Sequence, residues 1–282
     1  MGNSESNSLT DFDSTWEDED YYEDRTKSSV QWPWSAQRNT DAAKDMQNYR
    51  YMWRITRCDD VTDHELDDQI NTGSNINEWN ETRNIKEWDF STIADGNSSY
   101  MANPRLFPTH EKGRNASHEL SPEAIKLFRR DEQVKKRLLT SYKLMLDFYG
   151  IELISEETGE VRRATNWTER SANLNRNTHN NLRITRILKS MGLLGFSHYQ
   201  APLVHFFLVE TLVQGTLPQV KQSALDYFMF AVVDKTKRKE LIKFALCYFE
   251  PKEKFVWCPK SIQNQFLKEL ECAHEEWLGN AK

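Results

Sequence analysis

Apolar residues are spread unevenly along this chain of 282 residues. Residues 1–50 contain 14 of them, whereas residues 201–250 contain 28. A folded domain must bury enough apolar surface to offset the conformational entropy that folding removes. The pattern therefore predicts one compact domain in the C-terminal part, behind a tail over residues 1–40 that has no helical or alternating period and is expected to be disordered.

Helical spacing becomes clear from residue 121. The run Ser-Pro-Glu at 121–123 suits a helix start, because Ser caps the helix, Pro fits its first position and Glu complements the helix dipole. Apolar positions then recur over 134–149 and stop at Gly150, which fits a C-terminal cap. This region is predicted to form two helices, or one helix with a kink near Arg130.

Further helices follow from the same period. They are predicted over 178–191, from Pro202, from Pro218, from Asp234 to Pro251 and over 262–277. A single helical turn is predicted at 169–174, and one or two helical turns are predicted over 41–53. Gly192 and Gly195 are interpreted as the end of the 178–191 helix. The helix from Pro202 is apolar in nearly every direction, which is typical of a helix at the centre of a core.

No alternating strand pattern is found in the chain, so the predicted fold class is all-α: a single helical bundle of about six or seven helices with a disordered acidic N-terminal tail. The predicted parts are the tail over 1–40, a partly irregular region over 41–118, a helical domain over 119–257 and a helical C-terminal tail over 258–282.

The distribution of charge and the spacing of the cysteines exclude several classes of protein. Residues 1–40 carry nine acidic and three basic side chains, which account for the whole formal charge of −6, and no nucleic-acid partner is expected. No apolar run reaches 18 residues, and the acidic start excludes a secretory signal. The four cysteines lack metal-site spacing, which indicates reduced thiols in a cytosolic or nuclear compartment.

Motifs for catalysis are missing from the sequence. It contains no glycine-rich phosphate loop, no HExxH and no GxSxG, and its seven histidines are dispersed without ligand spacing. His205 lies in an apolar helix and is interpreted as a core histidine. The predictions are therefore that the protein is not an enzyme, and that it has no catalytic residue, no metal site and no cofactor.

Three features are candidates for binding. Arg183, Arg186 and Lys189 recur every three residues on one helix face, a candidate ligand-binding site for an acidic peptide, a phosphate group or the acidic tail; an ordinary solvated face is the more common case. Gly2 fits an N-myristoylation pattern, which would support only marginal peripheral membrane association. The basic run 235–239 is interpreted as a loop or helix start rather than a nuclear localisation signal.

Tryptophan is unexpectedly frequent near the N-terminus. Six of the nine tryptophans lie in the first hundred residues, although disordered tails are usually poor in aromatic residues. Some of these side chains are therefore expected to dock on a partner or on the folded half of the chain.

Several motifs carry a resemblance to a known family. They are HNNLRITRILKS at 179–190, HYQAPLV at 198–204, QSALDYFMFAV at 222–232, YKLMLDFYGI at 142–151 and KFVW at 254–257. Together they cover about residues 119–257 and resemble the conserved domain of the opioid growth factor receptor family. The runs DSTWED at 13–18 and DMQNYR at 45–50 also resemble the acidic start and the first helix of the family, whereas residues 58–98 resemble it poorly.

The resemblance implies a non-classical receptor for a short opioid peptide, methionine-enkephalin. It also implies a link to negative regulation of cell growth, and a location in the cytoplasm, the perinuclear region and the nucleus. It supplies no set of ligand-contacting residues, so the candidate site rests on Arg183, Arg186 and Lys189 alone.

The alternative hypothesis is an intracellular helical scaffold or adaptor that binds another protein and has no peptide-receptor activity. The Trp-rich flank and the lack of a secretory route favour it.

Overall fold

A computed structural model describes residues 15–16, 38–58, 107–109 and 120–269 of the protein. Within these ranges the chain is mostly helical, and the all-α class is confirmed. The helices are α1 (Thr40–Cys58), α2 (Pro122–Arg130), α3 (Glu132–Phe148), α4 (Trp167–Arg176), α5 (His179–Leu193), α6 (Gln200–Leu208, continued by the π-helix Val209–Val213), α7 (Lys221–Ser223, the π-helix Ala224–Phe228 and Met229–Ala231), α8 (Lys235–Tyr248) and α9 (260–269).

Side-chain caps fix the starts of three helices. The hydroxyl of Ser121 accepts a hydrogen bond from the amide of Ala124 at the start of α2. Asp131 ends α2 and caps α3, since its carboxylate accepts from the amides of Gln133 and Val134. Of the two alternatives for this region, two helices is therefore confirmed. Asp234 caps α8 in the same way, so the basic run 235–239 is a helix start as predicted.

A small β-hairpin corrects the expectation that the chain has no strand. β1 (Ile151–Leu153) and β2 (Val161–Arg163) pair antiparallel, with Ile151 opposite Arg163. Gly150, with a φ of 76°, ends α3 and turns the chain into β1. Each strand has only three residues, which is too short for an alternating pattern to stand out in the sequence.

The two glycines near the end of α5 have different roles. Gly195 has a φ of 94° and lies just after the helix, which confirms its interpretation as a cap. The same interpretation is wrong for Gly192, which lies inside α5. A methyl group at Gly192 would collide with the hydroxyl of Tyr49 and the amide of Gln200, so this position needs glycine because α1 and α6 approach it closely.

The core is centred on α6 and α7, as the apolar pattern predicted for α6. α6 contacts α5, α7, α8 and β2. Its buried side chains include Val204, Phe207 and Leu208, and those of α7 include Leu225 and Phe228. α7 begins at Lys221, after a turn, rather than at Pro218 as predicted. His205 is exposed on the outer side of α6, with its ring 4.7 Å from that of Phe244, so its interpretation as a core histidine is wrong.

A buried glutamine joins four helices at one point. The side-chain amide nitrogen of Gln200 lies 2.8 Å from the carbonyl oxygen of Leu188, 2.7 Å from that of Ala231 and 3.0 Å from the hydroxyl of Tyr49. Its oxygen accepts a hydrogen bond of 3.0 Å from the amide of Val233. Gln200 therefore links α1, α5 and the end of α7 to the start of α6.

An ion pair joins the hairpin to the π-helix after α6. Arg163 donates to both carboxylate oxygens of Glu210, at 2.7 and 2.6 Å, and the Glu210 side chain is almost fully buried. The hydroxyl of Thr216 donates to the same carboxylate. This contact holds the pKa of the Arg163 guanidinium above its usual value, chiefly through the hydrogen bonds to Glu210.

α1 is longer than the one or two turns predicted over 41–53, and it packs against α2, α5 and α7. Arg50 donates to the carbonyl oxygen of Phe230 at 2.7 Å, and Arg38 lies over the ring of the same residue. Arg129 of α2 donates to the carbonyl oxygens of Leu193 and Thr56. These contacts make α1 part of the folded domain although about 60 residues separate it from α2 in the sequence.

Part of the N-terminal tail contacts the folded domain. Thr15 and Trp16 pack against the C-terminal helices, and Trp53 packs on the core from α1. The expectation that some N-terminal tryptophans dock on the folded half is thus confirmed for both tryptophans that the structure describes in this region. The rest of the predicted tail up to residue 37 lies outside the described residues.

Candidate functional site on the basic face of α5

The three predicted ligand-binding residues lie on one side of α5, where α1 and residues 107–109 approach the helix. Lys189 is only 3% exposed. Its ammonium group pairs with Asp45 of α1 at 2.8 Å and lies 5.8 Å from the centre of the Tyr49 ring. The expectation of a solvated face is therefore wrong at this residue, because the C-terminal half of α5 is enclosed by other elements.

The two arginines are half-buried and also hydrogen-bonded within the chain. The guanidinium of Arg186 donates to the carbonyl oxygen of Phe107 at 2.8 Å. That of Arg183 donates to the side chain of Asn180, one turn earlier on α5, at 3.1 Å. The stripe thus has one buried cation that fixes α1 and two cations that remain partly accessible.

A hydrophobic side chain lies beside the accessible arginines. Leu182 is 67% exposed, the highest value among the large hydrophobic residues of the described ranges. It is four residues before Arg186 and adjacent to Arg183, and His179 is exposed one turn before Arg183. We call Leu182, Arg183 and Arg186 the α5 patch. The α5 patch combines an apolar contact with two positive charges.

A cavity beneath α5 is too small for a ligand side chain. It has a volume of about 10 Å³, lies between α3, α5 and α6 and is lined by Tyr142, Tyr149, Ile184 and Ile187 among others. This is about the space that one water molecule occupies. Burial raises the pKa of Tyr149, and the positive charge of Arg183 partly opposes that effect. This cavity therefore offers no site for a ligand side chain.

Comparison with known proteins identifies the family. Residues 71–264 match the family model of the opioid growth factor receptor conserved region, which is more than half of the chain. The chain belongs to the opioid growth factor receptor family. The match begins at residue 71 and so includes part of the region over 58–98 that resembles the family poorly, and no solved structure matches the chain.

Relatives within the opioid growth factor receptor family match most of this chain. The opioid growth factor receptor of Mus musculus is 44% identical over 239 residues, which are 81% of this chain and 37% of the mouse protein. The receptor of Homo sapiens is 42% identical over 249 residues, 85% of this chain and 36% of the human protein. Opioid growth factor receptor-like protein 1 of Xenopus tropicalis is 36% identical over 250 residues, which are 84% of this chain and 47% of the Xenopus protein. The chain spans less than half the length of these relatives.

The family is named for a receptor and not for an enzyme. Among the described residues, no three His, Cys, Asp or Glu side chains come together as metal ligands. In the same ranges no helix is both long enough and apolar enough to cross a membrane. Gly2, the candidate lipidation site, lies outside the described residues, and its acylation stays a prediction.

Two residues of the candidate site were not predicted from the sequence. Asp45 and Phe107 supply the partners of Lys189 and Arg186, yet they precede these residues by 144 and 79 positions. One signal was present: the run DMQNYR at 45–50 contains Asp45 and Tyr49, both of which face Lys189.

Proposed function

We propose that this member of the opioid growth factor receptor family binds a short opioid peptide, methionine-enkephalin, and that binding is linked to negative regulation of cell growth. The observation that supports the proposal is the family match over residues 71–264, together with relatives named opioid growth factor receptor. Nothing in the described part of the chain favours the scaffold hypothesis, since both described tryptophans of the N-terminal flank pack on the chain itself.

The α5 patch has the chemistry that such a peptide requires. The peptide has aromatic residues and a free C-terminal carboxylate. Its binding site needs an apolar surface for the aromatic rings and a positively charged side chain for the carboxylate. Leu182 offers the first, and Arg183 and Arg186 offer the second. Lys189 contributes indirectly, because its ion pair with Asp45 holds α1 beside the α5 patch.

Reversing a charge in the α5 patch is expected to weaken peptide binding. Arg183→Glu and Arg186→Glu each replace a cation by an anion that repels the peptide carboxylate, so the dissociation constant should rise about tenfold or more. The measurement is calorimetric titration of the full chain with methionine-enkephalin beside a scrambled peptide. Arg183→Glu is the more direct variant, because Arg186 also bonds to Phe107.

Lys136→Glu provides the matched control, since Lys136 is exposed on α3 and the substitution changes the net charge equally. Unchanged affinity in both arginine variants would reject the α5 patch as the site. Absence of saturable binding by the unsubstituted chain would reject the peptide-receptor function itself.

We further propose a cytoplasmic and perinuclear location that extends to the nucleus, with Gly2 acylated. A single myristoyl chain gives only weak, reversible membrane binding, so the attachment would be peripheral. Mass spectrometry of the N-terminal peptide from cells expressing the full chain should show the myristoyl group, and Gly2→Ala should remove it. A free Gly2 amine in the unsubstituted chain would reject the proposed acylation.

A further inference from the structure

Residues of the N-terminal tail occupy a site on α8 and α9, on a different part of the domain from the α5 patch. Thr15 is fully buried there, and its hydroxyl accepts a hydrogen bond of 2.8 Å from the guanidinium of Arg238. Arg238 itself is only 2% exposed. A contact between residues 223 positions apart thus buries an arginine against a short segment of the tail.

The guanidinium of Arg238 is held in a fixed orientation. One of its terminal nitrogens donates to the carbonyl oxygens of Val232 and Val233, at 2.5 and 3.2 Å, in the link between α7 and α8. The Nε–H group is therefore directed at the position that the Thr15 hydroxyl occupies. A planar guanidinium fixed in this way selects an oxygen acceptor at one position.

An aromatic contact next to Arg238 receives the following residue. The ring of Trp16 lies 6.3 Å from that of Phe266 on α9, with the two planes at 56°. Phe266 is positioned by Lys243 of α8, whose ammonium group lies 5.4 Å from the ring centre and pairs with Glu269 of α9 at 2.6 Å. The site thus has one place for a hydroxyl and one for an indole ring.

One buried polar group of the bound segment lacks a hydrogen bond in this site. The indole N–H of Trp16 is buried and has no hydrogen-bond acceptor among the described residues. A buried donor without a partner loses its interaction with water, and this cost opposes the gain from burying the ring. The segment is therefore held less tightly than its burial alone would suggest, as expected of a ligand that can be released.

We propose that α8 and α9 form a peptide-binding site for a Thr-Trp segment, and that Thr15–Trp16 occupies it as a releasable intramolecular ligand. A peptide with the same two residues, supplied from outside the chain, competes for the site. Tethering raises the effective concentration of the internal segment to the millimolar range, roughly, so the internal segment normally excludes an external one. Weakening the internal segment makes the site available.

The test uses a fluorescently labelled synthetic peptide with the sequence of residues 10–21, TDFDSTWEDEDY, and measures its anisotropy on titration with the full chain. The double variant Thr15→Val, Trp16→Ala removes the internal hydroxyl and ring. It should bind the peptide saturably and at least about tenfold more tightly than the unsubstituted chain, because its site is no longer filled from within. The single variant Trp16→Ala should lie between the two, which provides a second measurement should the double variant lose helical structure.

Two controls define the ligand. A peptide in which the tryptophan is alanine should not bind, and Phe266→Ala, added to the double variant, should weaken binding about tenfold or more because it removes the ring that Trp16 contacts. Equal affinity of the variants and the unsubstituted chain would overturn the proposal. So would the absence of saturable binding to both variants, or equal binding of the peptide without tryptophan.

Discussion

Replacing Gln200 by leucine is expected to lower the free energy of unfolding by about 3 kcal/mol. Leucine has a similar volume, so the main loss is polar. The amide of Val233 loses its acceptor, and the carbonyl oxygens of Leu188 and Ala231 each lose a donor in a site that water does not reach. Each unsatisfied buried group costs about 1–3 kcal/mol, and the carbonyls lie at the lower end because each oxygen can accept a second bond.

Chemical denaturation followed by far-ultraviolet circular dichroism measures this effect. Gln133→Leu is the matched control, since Gln133 is exposed on α3 and the same substitution there should change the free energy of unfolding by less than about 0.5 kcal/mol. Equal stability of the two variants would show that the Gln200 hydrogen bonds contribute nothing net to the fold.

Replacing Arg163 by alanine is expected to destabilise the protein by about 2 kcal/mol. The substitution leaves the carboxylate of Glu210 buried without its bidentate partner. Removal of one member of a fully buried ion pair costs about 3–5 kcal/mol. The value expected here is smaller because the Arg163 side chain is 41% exposed, so water can reach part of the space that it leaves.

Arg162, the residue before Arg163, forms an exposed ion pair and provides the comparison. Arg162 pairs with Glu152 at 2.9 Å across the same hairpin, but both side chains are well exposed, so Arg162→Ala should cost only about 0–0.5 kcal/mol. In a Glu210→Gln background the effect of Arg163→Ala should shrink, because the buried charge is gone. Equal losses from Arg162→Ala and Arg163→Ala would mean that burial of Glu210 does not matter.

The parts of the fold that were predicted correctly depend on local signals. The starts of α2, α3 and α8 follow from caps that lie within three residues of the amides they bind. The hairpin was missed because each of its strands has only three residues, too few to show an alternating apolar pattern. Gly192 was misinterpreted because the residue that requires glycine at this position is distant in the sequence. It is Tyr49 on α1, whose hydroxyl leaves no space for a side chain.

The candidate site shows the same limit. The spacing of Arg183, Arg186 and Lys189 correctly places them on one side of α5. Spacing cannot show which part of a helix face another element covers, and that depends here on Asp45 and Phe107. Lys189 is buried because a carboxylate of α1 compensates its charge, a pairing that only the three-dimensional structure reveals.

The docking of α1 has a consequence for the protein during its synthesis. Asp45, Arg50 and Asn39 bond to residues 144, 180 and 187 positions further along the chain. At translation rates of about 5–20 residues per second, the surface that receives α1 is completed roughly 10 to 40 seconds after α1 itself. For that time the buried side of α1, with Met46 and Tyr49, lacks the native surface that α5 and α7 supply. The nascent chain must therefore keep this segment from aggregating until α5 and α7 have emerged.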